Sequence, residues 1–243
     1  MAGEQISLFN FEQSLEQGNQ ALGHSLGQTA QSINISNSPA TTTVYANLDD
    51  LKTEAIACQK CNLAYTRKNV VIERGNRQAL IMIIGEAPGE SEDETGLPFV
   101  GRSGQLLDKI LASVQFDPTQ DVYICNINKC RPPDNRVPTE AEVTACKPYL
   151  LEQIRLVDPK IILLTGATAV KAITGDKRGI TKIRGEWSQW QGRWVMPIFH
   201  PAYLLRNASR EEGSPKWFMW QDIKAVREKY LEIKHEIENA EDF

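Results

Sequence analysis

The sequence lacks any apolar run long enough to cross a bilayer. A membrane helix needs roughly 18 such residues; the longest run here, Ala79-Leu-Ile-Met-Ile-Ile84, is of strand length. It also lacks a basic or apolar leader: the chain starts Met-Ala-Gly-Glu-Gln, so a cytoplasmic protein is expected. Lysine and arginine are missing from residues 1–46, whose only charges are Glu4, Glu12 and Glu16. Histidine is scarce, with three in 243 residues, and only His200 falls where strands are expected. No internal repeat is present. With 41% hydrophobic and 24% charged residues, the composition excludes a collagen, a coiled coil and a wholly disordered chain. It suits one α/β domain with a tail.

The charge is uneven. The whole chain sums to −4, yet residues 47–227 hold 25 bases against 22 acids. An acidic total therefore does not exclude a polyanionic partner, because the local field decides. Residues 12–46 are rich in Gln, Ser, Asn, Thr and Gly without apolar period, the signature of a disordered tail. The expected division is a tail over 1–46 and a folded domain over 47–243.

Within the domain, elements alternate. Residues 79–84, 122–127, 160–164 and 194–199 read as strands, the last irregular because of Pro197. Helices are expected at 49–59, 105–114, 139–157, 167–173 and from Ser214-Pro215 onward; Thr139 with Glu142 forms a capping box. This order predicts an α/β fold: a three-layer α/β/α sandwich around a central four-stranded, mainly parallel sheet. Ligands of such sheets sit beyond the strands' carboxyl ends. There the sequence places Gly85-Glu-Ala-Pro-Gly-Glu90, Asn126-Ile-Asn-Lys-Cys130, Thr165-Gly166 and His200-Pro201. Polar groups, glycines and an imidazole thus converge on one rim.

Five cysteines remain. Cys58 and Cys61 form a C-x₂-C pair, and Cys130 and Cys146 follow after a long gap. Cys125 lies inside a strand pattern and reads as a small buried hydrophobe. Without export, disulfides are not expected, and four thiols in this spacing outline a metal site. Spacing alone does not separate structural zinc from an iron–sulfur cluster.

Taken together, Gly85-Glu-Ala-Pro-Gly89 with Glu92-Asp93, Gly96-Leu-Pro-Phe-Val-Gly101, Asn126-Ile-Asn-Lys-Cys-Arg-Pro-Pro133 and His200-Pro-Ala-Tyr-Leu-Leu-Arg206 resemble the family 4 uracil-DNA glycosylases. These are bacterial and archaeal base-excision repair enzymes with a [4Fe–4S] cluster. The resemblance covers about residues 48–227. It implies a monomeric enzyme that flips uracil out of DNA and hydrolyses its N-glycosidic bond. It further implies that Phe99 stacks on the base, that Asn126 pairs with uracil N3–H and O4, and that amides of the Glu86–Ala87 turn contact O2. Glu92 is assigned to the space beside C5, where thymine carries its methyl. His200 would stabilise the departing uracil anion at O2, and Glu86 is the candidate water-activating group. Leu204 is expected as an apolar wedge in the DNA, with Arg206 and Arg184 on phosphates and Arg131 and Arg136 facing the backbone. Cys58, Cys61, Cys130 and Cys146 would hold the cluster as a structural tie.

Near the N-terminus, Gln5-Ile-Ser-Leu-Phe9 resembles the pentapeptide by which bacterial proteins dock on the sliding clamp. Two alternatives compete with the glycosylase: a non-catalytic nucleic-acid-binding module with structural zinc, and another superfamily member with altered base specificity. Against one such member, the stretch Lys177-Arg-Gly-Ile-Thr-Lys-Ile-Arg184 has no histidine.

Overall fold

The structure, a computed structural model, describes residues 43–241. The clamp-like peptide and nearly all of the expected tail lie outside the described residues. Six strands make one sheet: β1 (Arg74–Gly75), β2 (Ile81–Gly85), β3 (Val122–Asn126), β4 (Ile161–Thr165), β5 (Ser188–Trp190) and β6 (Arg193–Ile198). Their order is β1-β3-β2-β4-β6-β5. The central four are parallel, as the apolar runs predict, and a short antiparallel strand is added at each edge.

The expected count of four strands is thus corrected to six. Edge strands of two and three residues carry no periodic signal. β5 exists because Gln191 and Gly192, both at positive φ (49° and 77°), close a two-residue hairpin whose twist matches the strands. β6 is consequently internal despite Pro197. The last β5 pairing is Ser188↔Val195, so the ladder bond that proline cannot donate has no partner to miss.

Side chains alternate across the strands. Ile81, Ile83, Ile124, Leu163 and Ile198 face one layer, with α3 (Arg102–Ala112) and α8 (Pro215–Glu241). Met82, Ile84, Tyr123, Ile162 and Leu164 face the other, with α4 (Glu140–Val157) and α5 (Ala167–Thr174). The remaining helices are α1 (Leu48–Ile56), α2 (Glu90–Thr95), α6 (Ile180–Ile183) and α7 (Pro201–Arg206). Every residue of β2, β3 and β4 is buried. At about 1.5–3 kcal/mol for each large apolar side chain, this sheet dominates the stability. α4 starts as expected: Glu142 N donates to Thr139 Oγ1 at 3.2 Å, and Thr139 N to Glu142 Oε2 at 2.7 Å. Among the described residues no helix is long and apolar enough to cross a membrane.

Two expected DNA contacts need correction. Residues 201–206 form α7 rather than a loop, and Leu204 is 1% exposed within the core under α3. A wedge must reach solvent; on this helix the neighbouring Leu205, 40% exposed, does. Arg184 is engaged by the buried Asp222, with Nε to Oδ2 at 2.8 Å, and its guanidinium lies over the Phe218 ring. It ties α6 to α8 and is not free for a phosphate.

β2 lies between β3 and β4, so the chain leaves it first to one side and later to the other. That reversal opens a crevice at the carboxyl ends of the parallel strands.

Candidate active site

The crevice is a cleft of about 750 Å³. Glu86, Ala87, Glu92, Phe99, Asn126, His200 and Arg206 all line it, joined by Thr165 and Gly166. Four strand ends supply these groups, from positions more than a hundred residues apart. Their proximity is atomic: a Cβ added at Gly85 would stand 2.3 Å from Asn126 Oδ1 and 2.5 Å from Phe99 Cζ. The Phe99 and His200 rings lie 5.8 Å apart, inclined by 32°. Only glycine at 85 lets the ring and the amide share one wall.

Phe99 is held against its own backbone preference. It sits at φ 55°, the left-handed region that non-glycine residues rarely adopt. Three devices hold it there. Glu92 accepts from Val100 N at 2.9 Å and Gly101 N at 2.8 Å, as well as from Gly89 N at 3.1 Å. Arg74, on β1, donates to Pro98 O at 2.8 Å and Phe99 O at 3.1 Å and pairs with Asp108 at 2.6 Å. Beneath the loop, a Cβ at Gly104 would come within 1.7 Å of Phe99 O. The sequence reading missed Arg74 and Gly104. Gly104 lies in the first turn of α3, just before the expected helix at 105–114, and a glycine there was the only available signal; Arg74 makes a long-range contact without one.

His200 caps α7. Its Nδ1 accepts from Ala202 N at 3.1 Å, so the ring proton belongs on Nε2. Burial, then the charge of Arg206, brings the imidazole from 6.5 down to about 4, against an opposing pull from Glu92. At neutral pH it is an uncharged Nε2–H donor at the cleft. Glu86 accepts from the Thr168 hydroxyl on α5. Arg136 lines the cleft but is bidentate to Glu142, at 2.9 and 2.7 Å. Arg131 donates to Asn135 Oδ1 at 2.8 Å.

A second, apolar chamber lies between α1 and α4. Cys58, Cys61, Cys130 and Cys146 all line it, with Ala55, Ala64, Arg67 and Lys129. Cys125 stays in β3, fully buried. Burial raises the Cys130 thiol and pushes Cys146 up to about 12. Three N–H groups point at the sulfurs: Arg67 Nη1 to Cys130 at 3.4 Å, Lys129 N to Cys146 at 3.3 Å and Lys60 N to Cys58 at 3.5 Å. Among the described residues no three His, Cys, Asp or Glu side chains close on a single ion. The four thiols line this one small chamber, and four soft sulfur donors are the set that a tetrathiolate zinc site or an iron–sulfur cluster takes.

The family model described as the uracil DNA glycosylase superfamily matches residues 72–224. The chain is 49% identical over 156 residues to the type-4 uracil-DNA glycosylase of Thermotoga maritima, covering 63% of this chain and 81% of that protein. It is 41% identical over 191 residues to the type-4 uracil-DNA glycosylase of Sulfurisphaera tokodaii, covering 75% and 84%. With that of Saccharolobus solfataricus it shares 43% over 169 residues, covering 66% and 78%.

Proposed function

The chain belongs to the uracil-DNA glycosylase superfamily, among its type-4 members, and from that premise we propose how this cleft removes uracil from DNA. It is a DNA glycosylase that hydrolyses the N-glycosyl bond in base-excision repair and leaves an abasic site. Uracil within DNA is shielded by stacking, so the nucleotide is flipped into the cleft. Phe99 stacks on the ring. The Asn126 amide pairs with N3–H and O4; cytosine presents the opposite donor and acceptor there and is refused. Glu92, fixed by three backbone amides, walls the space beside C5 where thymine carries a methyl. Amides of the Glu86–Ala87 turn reach O2.

Cleavage leaves negative charge on uracil and positive charge on the sugar. The neutral His200 donates from Nε2 to O2 as that charge develops, the interaction that lowers the barrier. Glu86, oriented by Thr168, is the carboxylate proposed to receive the proton of the attacking water. Arg206 meets a phosphate, and Leu205, in place of the buried Leu204, fills the gap left by the flipped base.

Cys58, Cys61, Cys130 and Cys146 would hold a [4Fe–4S] cluster as a structural tie between the segment after α1 and α4; the hydrolysis needs no electron from it. Residues 47–243 act as the catalytic domain. Residues 1–46 carry the Gln5–Phe9 peptide to the sliding clamp of replication. The protein works in the cytoplasm. Deleting residues 1–11 is expected to abolish clamp binding and to spare cleavage of short oligonucleotides; unchanged clamp affinity would reject that part.

The observation that carries the reading is the meeting of Phe99, Asn126 and His200 in one cleft. The test is alkaline nicking of oligonucleotides bearing one uracil, thymine or hypoxanthine. Nicking at uracil alone is expected, and absence of abasic product would overturn the reading.

A further inference from the structure

Lys129 is among the largest fully buried side chains, at 1% exposure. A buried ammonium is costly unless negative charge and hydrogen bonds surround it. Its hydrogen bonds are clear. Nζ donates to Asn126 O at 2.5 Å and to Gln153 Oε1. Gln153, itself fully buried, is fixed by donating from Nε2 to Tyr123 OH at 2.7 Å and Ile72 O at 3.1 Å. Both acceptors of the ammonium are therefore neutral oxygens. Two sources of negative charge lie near this network: Glu73, which reaches Tyr123 but is paired with Arg77 at 2.6 Å, and the cysteine chamber. Lys129 lines the chamber of the four cysteines, and its own N–H bonds Cys146 Sγ at 3.3 Å.

One residue thus touches both regions. Its side chain grips the carbonyl of Asn126, three positions back, and its backbone joins a chamber sulfur. The Asn126 carbonyl is the end of β3, from which the base-reading amide projects. We propose that Lys129 is a positioning residue that couples the thiolate chamber to the cleft. Its ammonium is the counter-charge of the four-thiolate group, and its bond to Asn126 O sets the amide at the height the pyrimidine edge requires. The inference rests on the proposed function for both the group in the chamber and the base in the cleft.

Two variants separate its halves. Lys129→Met removes charge and hydrogen bond. Gln153→Glu puts a carboxylate on the ammonium, offsetting its charge while leaving the bond to Asn126 O. Each purified holoprotein is examined beside the parent, by dye-mediated redox titration of the visible chromophore and by single-turnover kinetics on uracil and cytosine oligonucleotides. Both variants are expected to shift the reduction midpoint to more negative values, because a nearby positive charge favours the more negative reduced form. Only Lys129→Met is expected to lose at least tenfold in kcat/KM on uracil and to narrow the uracil-to-cytosine ratio. A midpoint equal to the parent's in Gln153→Glu overturns the counter-charge. Parental uracil kinetics in Lys129→Met, or a loss as large in Gln153→Glu, overturns the positioning. Should Lys129→Met fail to fold, Gln153→Glu still decides the counter-charge by its midpoint, and Lys129→Arg, which keeps the charge but alters the reach to Asn126 O, decides the positioning: parental uracil kinetics there overturns it. A parent with neither chromophore nor uracil release refutes the functional premise instead, and the inference falls with it.

Discussion

The cleft and the cysteine chamber stand at opposite ends of one short segment, Asn126 to Cys130, and are built on opposite principles. The cleft is wide, with polar groups set in a largely apolar lining, and its groups are held by separate contacts: Phe99 by Glu92, Arg74 and Gly104, His200 by the Ala202 amide, Glu86 by Thr168. The chamber is small and mostly apolar, its sulfurs touched by three N–H groups, and under the proposed function the group they hold organises them. Losing one group of the cleft should cost rate and leave the fold standing. Losing one sulfur should cost the fold first and the rate as a consequence. The contrast shows that a repair site of this kind can rest chemistry and scaffold on different devices while one residue of the connecting segment, Lys129, links the two.

The largest expected effect tests the chamber. Cys146→Ser is expected to lose the chromophore and most of the cooperative unfolding transition, measured by visible absorbance and circular dichroism. A fully stable, colourless and active variant would erase the contrast. Next is the pair that belongs to neither region: Arg184→Leu leaves Asp222 buried without its partner, at about 3–5 kcal/mol of stability. Affinity for undamaged DNA should stay at the parental level, and a selective loss of affinity would restore the arginine to the interface.

In the cleft, His200→Ala should slow single-turnover excision by about 10²–10³, with DNA binding intact. A stability loss as large as that of Cys146→Ser would break the comparison. The same imidazole has a pH signature. Its folded pKa, about 4, lies below the ordinary 6.5, so the unfolded chain binds the extra proton in between. Stability is whole above pH 6.5 and falls toward pH 4, by roughly 3 kcal/mol if the shift is fully expressed. His200→Gln should lack that part of the acid slope in denaturant titrations, and the parental rate should show no inflection near 6.5. Gly104→Ala sharpens the comparison from inside the cleft: its methyl would stand 1.7 Å from the Phe99 carbonyl oxygen, so the Phe99 loop has to move, at more than about 3 kcal/mol, and KM should rise with the loss of the stacking ring.

The central sheet was legible because buried parallel strands are continuous apolar runs, and the rim was legible because their ends carry glycines and polar groups. The capping box at Thr139 and Glu142 is local chemistry and needed no tertiary information. What stayed hidden was set by contacts across the chain. Leu204 and Leu205 are equally apolar in sequence; only the pitch of α7 decides which is buried. Arg184 reads as a surface cation until α8 brings Asp222 beneath it, 38 positions away. Glu92 offers a carboxylate to any role, and it is the loop returning at Val100 and Gly101 that engages its oxygens. Edge strands as short as β1 leave no pattern to read, yet β1 supplies Arg74 to the Phe99 loop.

The most direct test of the account is the crystal structure of His200→Ala with a single-stranded oligonucleotide carrying one uracil. The base is expected outside the stack, its face on Phe99, its N3–H and O4 on the Asn126 amide and its O2 toward the space vacated by the imidazole. A uracil still stacked in the strand, or seated away from these three positions, would contradict it.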